Sequence, residues 1–165
     1  MLRDKSLIPL SHQHQHALGL CVRINRAQPI SDADLEAWQA EIAQHFEQEI
    51  KVHFAAEEAV LFPIARNFEE LGLLLDDLIN DHAWLRDAFT QVETRRMSAA
   101  DLVAFAQRLS AHIRKEERQL FERIQQLLKP NELAALGAKL DQALREATQA
   151  CIVPTAATKL KPAKS

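Results

Sequence analysis

The chain has 165 residues and a mass of 18.7 kDa, about the length of one domain, and it can bury a core without disulfide or metal staples. With 47% hydrophobic residues, 26% charged residues, only 3 glycines and no tyrosine, it is not collagen-like, low-complexity or wholly disordered, and an all-α fold is favoured. The formal net charge of −3 argues against a nucleic-acid partner, and the longest apolar run, residues 59–65, is too short for a membrane span. Two cysteines are too few for a disulfide framework, which favours reduced thiols and a cytoplasmic location.

Hydrophobic periodicity predicts the first two helices. Helix 1 follows Pro9, with Ser11 as its candidate N-cap, and it ends before Pro29. Helix 2 starts after Ser31 and ends or kinks at Pro63, because proline cannot donate the backbone hydrogen bond that a helix interior requires.

The third and fourth helices follow the same periodicity. Helix 3 carries an apolar stripe from Leu71 to Val92. Helix 4 opens at Ser98, a capping residue with an acid three positions later, and it ends at Lys129-Pro130.

A fifth, shorter helix is predicted after these four, with Asn131 as its cap. Residues 1–150 are expected to form one domain, and residues 151–165 are expected to form a flexible tail. Four long helices with short links favour an up-down-up-down four-helix bundle, and the additional short C-terminal helix would cover one side or one end of it.

Helices 2 and 4 repeat one motif, H-x-x-x-E-E-x-x-L-F, at residues 53–62 and 112–121. Because a helix turns once in 3.6 residues, the His and the Glu of each motif lie on the same face, and that face is the apolar one. Helices 1 and 3 each carry one histidine on their apolar stripe. The polar residues on the four stripes are therefore His14, His53, Glu57, His82, His112 and Glu116.

One histidine on an apolar stripe is usually an ordinary buried residue, but four histidines and two carboxylates in one bundle would be costly to bury unpaired. A bound cation removes that cost, and two facing carboxylates can bridge two cations. Imidazole and carboxylate ligands suit iron, zinc or manganese better than calcium or magnesium.

These paired motifs resemble the hemerythrin family, and more closely its bacterial hemerythrin-like or HHE cation-binding branch, over residues 7–128. The resemblance implies a four-helix bundle with two non-heme iron ions bridged by carboxylates. It implies that Glu57 and Glu116 are the bridges and that the ligands are His14, His53, Glu57, His82, His112 and Glu116.

Two positions depart from the oxygen-carrying hemerythrins. Those proteins place two histidines one turn apart on helix 3, whereas here Arg86 follows His82 at that spacing, and the last motif ends in Glu116 at four residues rather than in Asp at five. Each ion would then receive two histidines and the shared carboxylates, which leaves positions open for water, peroxide, NO or O2. Sensing, redox chemistry or iron handling is favoured over reversible oxygen carriage.

Other polar residues have simpler interpretations. His12 and His16 lie about 200° around helix 1 from His14 and are expected to be solvated, as is His45. Glu58 and Glu117 stand one residue off the ligand face, where a boundary salt bridge is expected. Arg86 either reaches solvent or lies near the site as a cation. Without metal, the like charges of Glu57 and Glu116 are expected to raise their pKa values.

Three hypotheses of function follow. The first is a di-iron protein that binds O2, NO or iron itself as sensor, scavenger or store, with a small diatomic ligand or peroxide as its partner. The alternative is a di-iron redox enzyme acting on peroxide, oxygen or nitrogen oxides. The third, an interaction module with a histidine-rich core, is disfavoured by the duplicated motif. Formation of a homo-oligomer is left open.

Overall fold

The computed structural model describes the backbone of residues 2–151 and the side chains of residues 2–146, and every regular element in that range is helical. The predicted all-α fold is confirmed. The predicted tail lies outside the described residues, except for the backbone of Cys151 at the end of the last helix.

Five helices make up the described chain. They are α1 (Ile8–Arg26), α2 (32–65), α3 (Gly72–Glu93), α4 (99–127) and α5 (Pro130–Cys151), and a 3-10 turn at Glu69–Leu71 leads into α3.

Two of the helices contain π-helical segments, in which the backbone hydrogen bonds skip one extra residue. Helix α2 has one at Phe46–Ile50 and one at Glu57–Leu61, and α4 has one at Glu116–Leu120. Both helices continue through these segments without interruption, and α2 ends two residues after Pro63.

Helices α2 and α4 start after the predicted serines, and both serines act as caps. The Ser31 hydroxyl accepts a hydrogen bond from the Asp34 amide, and Ser98 and Asp101 form a reciprocal capping box. Ser11, however, does not cap α1. That helix begins one turn earlier, at Ile8, because the chain buries Leu7 as well as the rest of the stripe.

The prediction of a short C-terminal helix is wrong. Helix α5 has 22 residues and is longer than α1, which has 19. It begins at Pro130, so Asn131 lies inside the first turn rather than at the cap. Proline suits the first helical position because its missing N–H would have no partner there. The carboxylate of Glu132 accepts a hydrogen bond from the Lys129 amide at 2.8 Å and secures this start.

The first four helices pack in sequence order around one core. Helix α1 contacts α2 and α4, and α3 also contacts α2 and α4. Helix α5 packs along the second half of α2, so it covers one side of the bundle. Its inward leucines join a cluster to which all four other helices and the segment before α1 contribute, made of Leu133, Leu136, Leu140, Leu7, Leu10 and Ala56 among others.

The core has two apolar clusters with a polar layer between them. One cluster, which we call the upper cluster, contains Ile24, Ile42 and Phe105, and the other, the lower cluster, contains Leu61 and Leu120 among others. Along each of the four helices, the candidate ligands lie where one cluster gives way to the other. In the described residues, no helix is both long enough and apolar enough to traverse a bilayer.

Candidate metal centre

The structure brings the six predicted site residues together in the polar layer between the two clusters. Each of them is between 0 and 4% exposed, and the elements that supply them are α1, α2, α3 and α4. The six residues are His14, His53, Glu57, His82, His112 and Glu116.

Their side chains form two sets of four that share both carboxylates. In each set, one ligand atom from every residue lies within 4.8 Å of the others. One set is His14, His53, Glu57 and Glu116, and the other is Glu57, His82, His112 and Glu116. Because Glu57 and Glu116 belong to both sets, the geometry suits two neighbouring cations bridged by two carboxylates.

The Nε2 atoms of the four histidines face this shared space. His14 Nε2 lies 3.1 Å from a Glu116 oxygen, and His112 Nε2 lies 3.2 Å from the same carboxylate. His53 and His82 approach the Glu57 oxygens at 3.3 and 3.5 Å. Between α1 and α2, the Nε2 atoms of His14 and His53 are 2.9 Å apart.

Several of these buried atoms have no well-aligned hydrogen-bond partner in the described protein. Both oxygens of Glu57, both oxygens of Glu116, the Nε2 atom of His82 and both ring nitrogens of His112 are in this position. Buried polar groups are nearly always satisfied, so a cluster of inward-facing polar atoms without aligned partners suits a cation. The donor set of imidazole nitrogens and carboxylate oxygens suits iron, zinc or manganese.

The outer nitrogen of each histidine is also placed against an oxygen atom. This arrangement directs a proton to Nδ1 and leaves the Nε2 lone pair for the centre. The four contacts are His14 Nδ1 to Glu117 at 2.7 Å, His53 Nδ1 to Gln13 at 2.9 Å, His82 Nδ1 to Glu58 at 2.7 Å and His112 Nδ1 to Asp81 at 3.5 Å.

The predicted boundary salt bridges at Glu58 and Glu117 are confirmed. Arg86 donates to both oxygens of Glu58 at 2.8 and 3.0 Å, and Arg3 lies 2.6 Å from a Glu117 oxygen. Arg86 is therefore the cation near the site rather than a free solvent-reaching side chain. The sequence did not indicate a role for Arg3, which comes from the segment before α1.

Gln13 and Asp81 were also missed by sequence reasoning. Each stands immediately before a predicted ligand, at His14 and His82, yet each supports the histidine of the following helix. Their position next to a predicted ligand in the sequence was a signal that these two residues lie near the site. Which histidine each one contacts depends on how the neighbouring helices are rotated.

The buried carboxylates raise the pKa values of His14, His82 and His112. Burial alone would lower the pKa of His14, but the carboxylates of Glu116 and Glu117 outweigh it and raise the pKa to about 9. For His112, burial is outweighed in the same way by Glu116 and Asp81, and the pKa rises to about 10.

The expectation of raised carboxylate pKa values is wrong. Burial and mutual repulsion do act to raise the pKa of Glu57, but the imidazoles of His53 and His82 outweigh them and lower it. The pKa of Glu116 is lowered further, because His112 and His14 offset its burial. Sequence reasoning considered the two like charges and left out the histidines that surround them.

Both carboxylates that are shared by the two sets stand at the start of a π-helical segment. These segments begin at Glu57 and Glu116. Buried positions at 53, 57, 61 and 65 and at 112, 116, 120 and 124 recur in steps of four. In a regular α-helix each such step drifts by about 40°, so the stripe would leave the core. The π-helical segment absorbs the drift and keeps ligand and leucine on one face.

The remaining histidines lie outside the centre. His12 and His16 are exposed, as predicted, and His16 Nδ1 is 3.0 Å from a Glu49 oxygen. The prediction of an exposed His45 is wrong. It is half-buried in the groove between α1 and α2, and burial lowers its pKa.

A small apolar cavity adjoins the centre on the α1, α2 and α4 side. Its volume is about 10 Å³, room for about one water molecule. Three of the site histidines, His14, His53 and His112, line it, together with Gln13 and Glu49.

A helical bundle that encloses four imidazoles and two shared carboxylates has the donor groups of a buried cation site. The family model described as the hemerythrin HHE cation binding domain matches residues 9–124. The chain therefore belongs to the hemerythrin HHE family, as its motifs predicted, and that family binds metal cations. No curated protein and no solved structure matches the chain.

Proposed function

We propose that this chain is a non-heme di-iron protein that binds O2, NO or iron itself as a cytoplasmic sensor, scavenger or store. The observation that carries the proposal is the sharing of Glu57 and Glu116 by two groups of four buried ligand atoms. The proposed unit is one domain of residues 1–150 whose first four helices run up-down-up-down.

The residues proposed to hold the two ions divide between the helix pairs. His14 and His53 would hold one ion and His82 and His112 the other, while both carboxylates serve both ions. When bound, iron supplies reversible redox change and open positions for small ligands.

The protein's own residues keep the site dry and fixed. Phe54 stacks on His82 with ring centroids 3.8 Å apart, and Phe121 stacks on His14 at 5.4 Å. Together with the Nδ1 hydrogen bonds of His14, His53 and His82, these contacts hold the imidazole planes in place and exclude bulk water.

The cavity beside His14, His53 and His112 supports a small ligand. Its volume of about 10 Å³ admits a water-sized molecule, and its walls are mainly apolar, so a diatomic gas suits it better than a charged metabolite.

Metal content tests the proposal. Protein purified from iron-replete cells is expected to contain close to two iron ions per chain, with the near-ultraviolet charge-transfer absorption of a ferric pair. A metal-free preparation that cannot be reconstituted with iron would refute the proposal, and one tightly held zinc ion per chain would replace it with a mononuclear site.

Variants of the shared carboxylates sharpen this test. Glu57→Ala and Glu116→Ala are each expected to lose more than one iron ion per chain, because each carboxylate serves both ions. His12→Ala and Glu47→Ala, which change exposed residues of α1 and α2, are matched controls and should keep full iron content.

Measuring catalytic turnover distinguishes the redox-enzyme alternative from the proposed binding role. If the iron-loaded protein consumes hydrogen peroxide or NO catalytically, the function is enzymatic, whereas stoichiometric binding without turnover supports the binding role.

A further inference from the structure

The two halves of the proposed centre differ in what supports their histidines. We call His14 and His53, with the shared carboxylates, the α1–α2 subsite, and His82 and His112, with the same carboxylates, the α3–α4 subsite.

Both histidines of the α3–α4 subsite have a carboxylate at Nδ1. His82 Nδ1 is 2.7 Å from Glu58, and His112 Nδ1 is 3.5 Å from Asp81, which is 3% exposed. Basic side chains hold these carboxylates in position. They are Arg86 on Glu58, and Arg108 and Lys115 on Asp81.

The α1–α2 subsite has only one such carboxylate. His14 Nδ1 is 2.7 Å from Glu117, but His53 Nδ1 faces the neutral amide oxygen of Gln13 at 2.9 Å. Gln13 occupies the position in the first helix pair that Asp81 occupies in the second, directly before the single histidine of the leading helix. The two halves are otherwise closely parallel, so Gln13 is where their electrostatics diverge.

We propose that Gln13 makes the α1–α2 subsite the weaker of the two, so that the first metal ion fills the α3–α4 subsite. A carboxylate at Nδ1 increases the basicity of a metal-binding imidazole, and changing such a partner alters metal affinity by roughly 10- to 100-fold. At His82 the charged acceptor also makes a stronger hydrogen bond than a neutral amide, and at His112 the Asp81 carboxylate acts through its charge, at 3.5 Å.

The difference in metal affinity between the two subsites has a consequence because of where the cavity lies. The cavity is lined by both histidines of the α1–α2 subsite and by one of the other. The more exchangeable ion therefore lies beside the space that a small ligand enters. This inference rests on the proposed two-metal centre and assigns Gln13 as a positioning residue within it.

Zn²⁺ is a suitable probe because it has no redox chemistry. Titration calorimetry of metal-free protein at one fixed pH is expected to resolve two binding steps for the unmodified chain. The double variant His14→Ala, His53→Ala removes the histidines of the α1–α2 subsite and should retain the tighter site. His82→Ala with His112→Ala should bind Zn²⁺ roughly 10- to 100-fold more weakly.

Gln13→Glu tests the residue itself. In the unmodified background it is expected to raise the weaker affinity and bring the two steps together. Gln15→Glu is the matched control, because it adds the same charge to an exposed position of α1 without facing a site histidine, and it should leave both steps unchanged. Asp81→Asn should weaken the tighter step, whereas Asp77→Asn, which also loses a contact to Lys115, should not.

The outcomes separate this inference from the proposed function. Two Zn²⁺ ions bound with equal affinity, or Gln13→Glu no different from Gln15→Glu, would overturn the inference and leave the two-metal centre standing. Fewer than two ions bound by the unmodified chain would overturn both. The Gln13→Glu comparison keeps the inference testable even if the double alanine variants fail to fold, which circular dichroism would reveal.

Discussion

At the scale of single residues, protons on the site imidazoles offset the negative charges of the carboxylates when no metal is bound. The raised pKa values of His14 and His112 mean that both imidazoles hold a proton at neutral pH, and the lowered pKa values of Glu57 and Glu116 mean that both carboxylates stay ionised. Charge is thus balanced within the buried layer. Metal binding must displace these protons, since an imidazole coordinates only when its ligand nitrogen is unprotonated.

This exchange predicts opposite pH dependences for the metal-free and the metal-loaded protein. The pKa values of His14 and His112 rise on folding from 6.5 to about 9 and about 10. Their contribution to stability is therefore complete below about pH 6.5 and is lost as the pH rises through the folded values. The metal-free protein should unfold at a lower temperature at about pH 8.5 than at about pH 6.5, while Zn²⁺ affinity should increase over the same window.

Thermal unfolding with and without Zn²⁺ at the two pH values measures this difference. The increase in melting temperature on adding Zn²⁺ should be larger at the higher pH, and His12→Ala, which removes an exposed histidine, should not change it. A stabilisation by Zn²⁺ that shrinks as the pH rises would contradict the proton exchange.

The candidate ligands were easier to predict from the sequence than the residues that contact their Nδ1 atoms. A four-residue spacing places His53 with Glu57 on one face whatever the rest of the fold does, so this pair of candidate ligands follows from local geometry. Gln13 and Asp81 act on histidines of other helices, and their contacts depend on helix rotation and separation. Sequence spacing within one helix carries no information on those two quantities.

At the scale of elements, the two glycines inside helices make a matched pair. Gly19 lies in the middle of α1, and a Cβ added there would have no neighbouring atom within 4 Å, whereas a Cβ at Gly137 of α5 would lie 2.7 Å from Ser6 Cβ and 2.9 Å from Ser6 Cα. Alanine in a helix interior is favoured over glycine by about 0.5–1 kcal/mol. Gly19→Ala should gain about that amount.

Gly137→Ala should instead lose stability. The added methyl group must displace the backbone at Ser6, and overpacking of this kind costs about 1–3 kcal/mol, which exceeds the helical gain. Urea denaturation of the two variants beside the unmodified protein gives both free energies of unfolding. An increase in stability for Gly137→Ala would mean that α5 does not pack tightly against the segment before α1.

The π-helical segments show what periodicity did and did not reveal. The steps of four at residues 53–65 and 112–124 were visible in the sequence, but they resemble an ordinary helical stripe because single steps of three and four alternate in any α-helix. Three steps of four in succession indicate a π-helical segment. The start of α5 was misplaced for another reason: Pro130 both ends α4 and suits the first position of the next helix.

At the scale of the whole molecule, the centre lies between two apolar clusters that do not depend on metal. The upper cluster draws on α1 to α4, and the lower cluster also includes leucines of α5. The bundle was predictable because each helix carried a continuous stripe, whereas the side on which α5 packs depends on how the other helices are arranged in space.

This division of the core predicts that removing metal loosens the molecule without unfolding it. Chelator-treated protein should keep nearly all of its far-ultraviolet circular dichroism, because both apolar clusters remain buried. Metal that binds only the folded chain should then raise stability by about 2.7 kcal/mol at a free concentration of 100 times its dissociation constant, with a matching rise in melting temperature. Complete loss of helix on chelation would instead make the ions structural, as in a zinc finger, and would remove the main support for their role in binding small ligands.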